Sequence, residues 1–230
     1  YMTGYKDPRM SMYFLQPMTA GLRKYIGCRA GAAIGSNIVA KRLYSTVNVQ
    51  ETTPSLWLTA SEMAFCKAEG VLRGWNMGGG TAKEYYERGV TLSFNQWGAD
   101  GVATYLLDDT STEANYADAL GGFGGAAAKA STITIKWDDN APMDEKMERL
   151  ITQKWIALFP NGQEAWNEIR RTGYPRIFSV PQATNGYTLL TPNRIPFDKN
   201  QQINNRSNYD KAVELLGGPD DYATPMWWQR

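Results

Sequence analysis

Histidine is absent from the 230-residue chain. Its absence removes the commonest general base and the commonest metal ligand of proteins. The two cysteines, Cys28 and Cys66, form neither a CxxC motif nor a dense disulfide framework. Cys66 lies on an apolar helical pattern, which predicts a buried free thiol. The commonest catalytic and metal centres therefore have no support in this sequence.

Long apolar runs and an excess of one charge are also missing. No run of 18 apolar residues occurs, so the sequence predicts no membrane-spanning helix. The 24 basic and 23 acidic residues nearly cancel, and no cluster of Lys and Arg forms a basic stripe. This balance argues against a nucleic-acid partner. What the sequence does contain is 43% hydrophobic and 12% aromatic residues, ample for a packed core.

The stretch 140–159 predicts a long amphipathic helix. Pro142 suits a first helical turn, and Asp144 and Glu145 place negative charge where it complements the helix dipole. Apolar residues then recur at spacings of three and four, namely Met143, Met147, Leu150, Ile151, Trp155, Leu158 and Phe159. Pro160 ends this helix, so the chain turns a corner after it.

A second helix follows the corner. Asn161 with Glu164 predicts a capping box, in which each side chain satisfies a free backbone N–H. Gly173 marks the end of the helix. Because the two helices meet at a corner, we expect Trp155 and Trp166 to be buried where they cross.

A helix pair is predicted between residues 55 and 98. Thr59 with Glu62 and Thr81 with Glu84 have the capping-box spacing, and three glycines at 78–80 separate the two helices. The predicted apolar stripes are Met63, Cys66, Ala68, Val71, Leu72 and Trp75, then Tyr85, Tyr86, Val90, Phe94 and Trp97. A short glycine loop predicts antiparallel packing.

Residues 99–139 have the composition of a ligand-binding region. A loop at 108–112 leads to a predicted short helix over 113–120, and glycine pairs flank Phe123. Sugars stack on aromatic rings, while carboxylates and amides bind their hydroxyls. The candidate ligand-binding residues are Tyr105, Asp108, Asp109, Tyr116, Phe123 and Trp137, with Asn115, Asp138 and Asp139 nearby.

Structural interpretations of the same residues stay open. Ile133, Ile135 and Trp137 alternate as one buried strand face would, and aspartates near helix starts are commonly caps. The aspartates could also chelate Ca²⁺, although no EF-hand spacing occurs.

The first 54 residues predict irregular, loop-rich structure. Asp7 and Arg9 flank a proline there, and Arg29 follows further on. A carboxylate and a guanidinium could orient a sugar hydroxyl. The alternative is that the pair ties a loop to the body of the protein.

The segment WIALFPNGQEAWNEIRRTGYP, residues 155–175, resembles the C-terminal signature of the SusD/RagB family. Its matching residues are Trp155, Phe159, Asn161, Glu164, Trp166, Arg170, Arg171 and Tyr174. GYKDPRM, YIGCRAG and LYSTVN resemble earlier family landmarks, and the end of the chain resembles the closing signature. Phe197 stands where the family usually has Tyr, and Asn200 where it usually has Glu, which puts one polar contact in doubt.

The resemblance implies a mostly α fold, with a tetratricopeptide-like helix pair, a loop-rich C-terminal subdomain and little β structure. Residues 1–230 would be the C-terminal portion of one SusD-like domain. Its parts would be a loop-rich segment (1–54), the helix pair (55–98), a variable loop region (99–139) and the signature region (140–230). The signal peptide, a lipid-modified Cys and N-terminal helices are expected outside this sequence, which starts at Tyr1.

The family resemblance also implies a function. SusD-like proteins are lipid-anchored at the cell surface in the outer membrane, where they bind glycans and deliver them to a SusC-like TonB-dependent transporter. They are not enzymes, and no cofactor is expected. The alternatives are a RagB-type peptide binder and a helical-repeat scaffold with protein partners only.

A glycosidase is a further alternative, because Glu164 and Glu168 lie one helical turn apart. The competing interpretation is structural. Glu164 would cap the helix and Glu168 would pair with Arg171, while Trp166 would stack on Arg170.

Overall fold

The computed structural model describes residues 1–18, 24–30, 32, 43–120, 124–178 and 191–229. The predicted ligand residue Phe123 lies outside the described residues. Within them the chain is mostly helical, as predicted. The helices are α1 (Met10–Tyr13), α2 (Ala60–Leu72), α3 (Ala82–Trp97), α4 (Val102–Leu106), α5 (Met143–Ala157), α6 (Gly162–Thr172), α7 (Lys199–Asn204) and α8 (Arg206–Leu216), with a 3-10 turn at Trp227–Gln229.

The described β structure is limited to two short antiparallel pairs. Strand β1 (Phe14–Leu15) pairs with β2 (Thr46–Val47), and β3 (Tyr116–Ala117) pairs with β4 (Ala126–Ala127). The prediction of little β structure is therefore confirmed. The predicted helix over 113–120 is wrong, because this segment contains no helix and its Tyr116–Ala117 strand pairs with Ala126–Ala127. No helix in the described ranges is long and apolar enough to cross a membrane.

Helices α2 and α3 form the predicted pair, and their N-terminal caps are as expected. Thr59 Oγ1 accepts a hydrogen bond from the Glu62 N–H at 3.1 Å. At α3 the capping box is complete, because Thr81 Oγ1 accepts from the Glu84 N–H and Glu84 Oε2 accepts from the Thr81 N–H at 2.8 Å. The two helices approach closely at Gly89, where a Cβ would lie 2.8 Å from the Phe65 ring.

The buried face of α2 is rotated from the predicted stripe. Met63 and Trp75 are exposed, whereas Phe65 and Ala68 are fully buried. This face also buries Glu69, whose carboxylate is held by Arg171 at 2.6 and 2.7 Å. The apolar period alone could not predict a buried charge on this helix. The α3 stripe is as predicted: Tyr86, Val90 and Phe94 are buried.

Helix α5 runs through the core and packs against α2 and α3. Leu150, Ile151 and Ile156 are buried along it. Pro142 is the N-cap with ψ 159°, one position before the first helical turn in which it was predicted.

Helix α6 differs from its prediction in two ways. Asn161 Oδ1 accepts from the Glu164 N–H at 3.2 Å, but Glu164 binds the Asn167 amide instead of completing the box. Trp155 and Trp166 are both half-buried rather than buried. The Trp166 ring lies against the Arg170 guanidinium, whose centre is 3.7 Å from the ring centroid. This cation–π contact was predicted, and it holds the indole at the surface.

Candidate functional site

Asp7 and Arg9 form a completely buried ion pair. Arg9 Nη2 lies 2.6 Å from Asp7 Oδ2, and neither side chain is exposed. Arg9 also donates to Ser93 Oγ and Gln153 Oε1, each at 3.0 Å. The Tyr105 hydroxyl donates to Asp7 Oδ2 at 3.0 Å. These contacts tie the N-terminal loop to α3, α4 and α5.

Tyr105 is therefore a core residue. Burial raises the pKa of its hydroxyl well above the ordinary value, so the group stays protonated and can donate to Asp7. We leave Asp7, Arg9 and Tyr105 out of the proposed site, because a ligand cannot contact buried side chains whose polar atoms are already bound.

Trp137 also belongs to the core. Its side chain is 6% exposed, and its ring centroid lies 5.1 Å from that of Tyr86. Its indole N–H donates to Asp139 Oδ1 at 2.9 Å. Ile133 and Ile135 are buried beside it in sequence, as the alternation predicted. The predicted burial of this face is confirmed, although residues 131–137 form no strand, and Trp137 is left out of the proposed site.

Asp108 and Asp109 lie in the loop after α4. Asp108 Oδ1 accepts from the backbone N–H groups of Thr110 and Ser111 at 2.9 and 2.8 Å. Burial opposes ionisation, but these hydrogen bonds hold the pKa of the Asp108 carboxyl below its ordinary value. Asp109 forms an exposed ion pair with Lys136. Asp108 thus shapes its own loop.

A calcium site would need several acidic ligands around one point. No group of three or more acidic or cysteine side chains in the described ranges is arranged to hold a metal ion. The calcium alternative therefore has no ligand set in this part of the chain.

Among the aromatic candidates that the structure describes, Tyr116 reaches the surface. It lies on β3 and is half-buried, with its hydroxyl donating to the Gly27 carbonyl at 3.2 Å. Its ring centroid lies 5.8 Å from that of Phe178. Gly124 lies close to the hydroxyl end of Tyr116, because a Cβ there would lie within 3 Å of the Tyr116 hydroxyl.

Asp118 organises the loop beside Tyr116. Its carboxylate accepts the Tyr44 hydroxyl at 3.1 Å and the Gly124 N–H at 2.8 Å. Arg29 Nη1 donates to the carbonyls of Gly124 and Ala126 at 3.1 and 3.2 Å. Burial is the main cause that raises the pKa values of the Tyr44 and Tyr116 hydroxyls, and Asp118 raises them further. Both hydroxyls therefore stay protonated and can donate.

These residues lie together around the β3–β4 pair, and we name the group the hairpin face. It consists of Arg29, Tyr44, Tyr116, Asp118 and Phe178. Arg29 and Tyr44 are buried beneath it, whereas Tyr116, Asp118 and Phe178 are half-buried. Sequence reasoning selected Tyr116 but missed Asp118 and Phe178. Arg29 was named only beside the Asp7–Arg9 pair, and Tyr44 only as part of the LYSTVN segment.

The two carboxylates considered for glycoside hydrolysis do not face each other across a cleft. Glu168 is buried between Lys154 Nζ at 2.8 Å and Arg171 Nη2 at 2.7 Å. Glu164 binds the Asn167 amide instead. The predicted i,i+3 ion pair between Glu168 and Arg171 is confirmed. The predicted stacking of Trp166 with Arg170 is confirmed as well.

The described chain is a mostly helical protein in which irregular segments and a short β pair carry the hairpin face. A model of the family described as SusD and RagB outer membrane lipoproteins matches residues 1–229. The chain belongs to this SusD-like family, and membership places it with outer-membrane proteins. No curated protein matches the chain.

Solved structures agree with the family assignment. A SusD homologue from Bacteroides thetaiotaomicron is 38% identical with a TM-score of 0.91, over 100% of this chain and 50% of that one. A chitin-binding SusD homologue from Flavobacterium johnsoniae is 39% identical with a TM-score of 0.88, over 100% and 48%. A SusD-like protein from B. thetaiotaomicron is 42% identical with a TM-score of 0.90, over 99% and 48%. The chain therefore spans about half the length of these relatives.

Proposed function

We propose that this chain is part of a cell-surface protein that binds glycans without cleaving them and delivers them to a SusC-like TonB-dependent transporter. Family membership supports glycan binding as the class of activity. The similarity to a chitin-binding homologue makes chito-oligosaccharides the first ligands to test.

The observation that carries the proposal is the half-buried Tyr116 ring on the hairpin face. Its hydroxyl is anchored by Gly27, and Phe178 stands 5.8 Å away, so the ring is held in a fixed orientation. A fixed aromatic surface is what the apolar face of a sugar stacks on. Asp118, next to it, fixes the loop beside the ring, because its two carboxylate oxygens accept from the Tyr44 hydroxyl and the Gly124 N–H.

A non-catalytic role is supported by the state of Glu168. A general acid must lie within hydrogen-bonding reach of the group that it protonates. Glu168 is 5% exposed and its carboxylate is bound by Lys154 and Arg171, which keeps substrate away from it.

The first experiment measures ligand class with the protein at its natural full length. Affinity electrophoresis and calorimetry would test chito-oligosaccharides, other glycans and a peptide mixture. We expect retention by a glycan and no release of cleaved products. Peptide binding alone would favour the RagB-type alternative, and partner capture without either ligand would favour the scaffold.

Delivery needs a separate experiment. Co-purification from outer membranes should recover a TonB-dependent transporter with the tagged protein. Recovery of the protein without any transporter would contradict the proposed delivery step, but it would not contradict the proposed glycan binding.

A further inference from the structure

One pocket of the described chain shares no residue with the hairpin face. It occupies about 470 Å³ between the segment that precedes α2 and the start of α6. Its lining includes Ser55, Trp57, Pro160, Asn161, Gly162 and Gln163. Its volume falls within the roughly 300–1,000 Å³ typical of small-ligand sites.

Trp57 is the main apolar surface of this pocket. Its side chain is 87% exposed, the highest value among the described tryptophans. An indole in water leaves a large apolar area unburied, and covering it with an apolar surface is favourable. The Trp57 ring is therefore available as a stacking surface.

The polar groups around Trp57 are neutral and can bind hydroxyls. Asn161 uses Oδ1 to cap α6, which leaves its amide N–H groups for other acceptors. Gln163 makes a long bond of 3.4 Å from Nε2 to Asn167, which leaves its Oε1 as an acceptor. Ser55 adds an exposed hydroxyl. No charged side chain lines the pocket.

We propose that this pocket is a second sugar-binding subsite, in which a neutral pyranose ring stacks on Trp57 and its hydroxyls bind Asn161 and Gln163. The absence of charge in the lining favours an uncharged sugar over a sialic or uronic acid. This inference rests on the proposed glycan-binding function and adds a subsite that shares no residue with the hairpin face.

The test uses the full-length protein and a neutral chito-oligosaccharide series from two to six units. Trp57→Ala is compared with Trp227→Ala, a matched control because Trp227 is also 80% exposed but lies in the C-terminal 3-10 turn. Gln163→Ala removes a hydroxyl-binding group without removing the ring. Calorimetry gives the affinity, and thermal unfolding gives Tm for each variant.

We expect Trp57→Ala to weaken binding of the longer oligosaccharides by about tenfold, within the range for removal of an interface aromatic. Gln163→Ala should weaken it by a few fold, roughly what one neutral hydrogen bond contributes. Trp227→Ala should leave the affinity unchanged. All three variants should keep the wild-type Tm.

Three results would overturn the subsite. One is unchanged affinity of Trp57→Ala while wild type binds, which would leave the proposed function standing. Another is a drop in Tm of Trp57→Ala by several degrees, which would mean that another part of the full-length protein covers the indole. The third is failure of the wild type to bind any glycan, which removes the proposed function and the subsite together.

Discussion

The core and the hairpin face use the same chemical pair in different ways. In the core the Tyr105 hydroxyl donates to Asp7, and on the hairpin face the Tyr44 hydroxyl donates to Asp118. Asp7 is 3% exposed and also holds Arg9, whereas Asp118 is half-buried and orders backbone N–H groups of its loop. Both tyrosines are buried, so the exposure of the aspartate, not the residue types, separates the two pairs.

The largest expected effect comes from breaking the buried ion pair. Arg9→Met leaves the Asp7 carboxylate uncompensated in the core, so we expect a loss of about 3–5 kcal/mol in the free energy of unfolding. Chemical denaturation measures it. The double variant Asp7→Leu with Arg9→Met should lose less than the sum of the two single variants. An Arg9→Met variant as stable as wild type would contradict the structural role of this pair.

Trp137→Ala tests the assignment of this residue to the core. Removing an indole that is 6% exposed should cost roughly 3–5 kcal/mol. Thermal unfolding checks this value, and glycan affinity is measured where the variant is fully folded. Weakened binding at unchanged stability would instead return Trp137 to the ligand site.

Matched tyrosine variants compare the two tyrosine–aspartate pairs directly. Tyr105→Phe removes a donor from a buried carboxylate and should cost about 1.5–3 kcal/mol, whereas Tyr44→Phe should cost about 1 kcal/mol because water can reach Asp118. Urea unfolding of both variants gives the difference. Equal costs would show that the exposure of the aspartate does not separate the pairs.

The smallest expected effect concerns Asp108 and pH. Because its folded pKa is lowered, its contribution to stability is present above the unfolded pKa of about 3.9 and is lost as pH falls through the folded value. Solvent screening limits the contribution to less than about 1 kcal/mol. Asp108→Asn should have a slightly lower free energy of unfolding than wild type at pH 7, and this difference should become smaller below pH 3.9. A difference that grows in acid would contradict the lowered pKa.

Local signals in the sequence predicted the helical part well. Thr81 with Glu84 predicted the start of α3, and the apolar period predicted its buried face. The α2 face was missed because Glu69 is buried by an ion pair with Arg171, 102 residues away. A contact at that separation leaves no periodic trace in the sequence.

The candidate site was harder to predict. The helix predicted over 113–120 was wrong. The strand pairing of this segment with Ala126–Ala127 depends on a register that composition does not encode. Asp7, Arg9 and Tyr105 have the residue types of a sugar site, and only tertiary packing shows that they are buried. For Trp137 the alternation with Ile133 and Ile135 already indicated burial. Asp118 was missed because its hydrogen bond with Tyr44 joins residues 74 positions apart.

The central claim is that helices provide the scaffold and the hairpin face binds the glycan. Affinity of full-length Tyr116→Ala for its preferred oligosaccharide tests it most directly, with Tyr222→Ala as an exposed tyrosine control at 38% exposure. We predict a loss of roughly 1–3 kcal/mol in binding for Tyr116→Ala, with Tm nearly unchanged, and no loss of binding for the control. Wild-type affinity in the Tyr116→Ala variant would contradict the account.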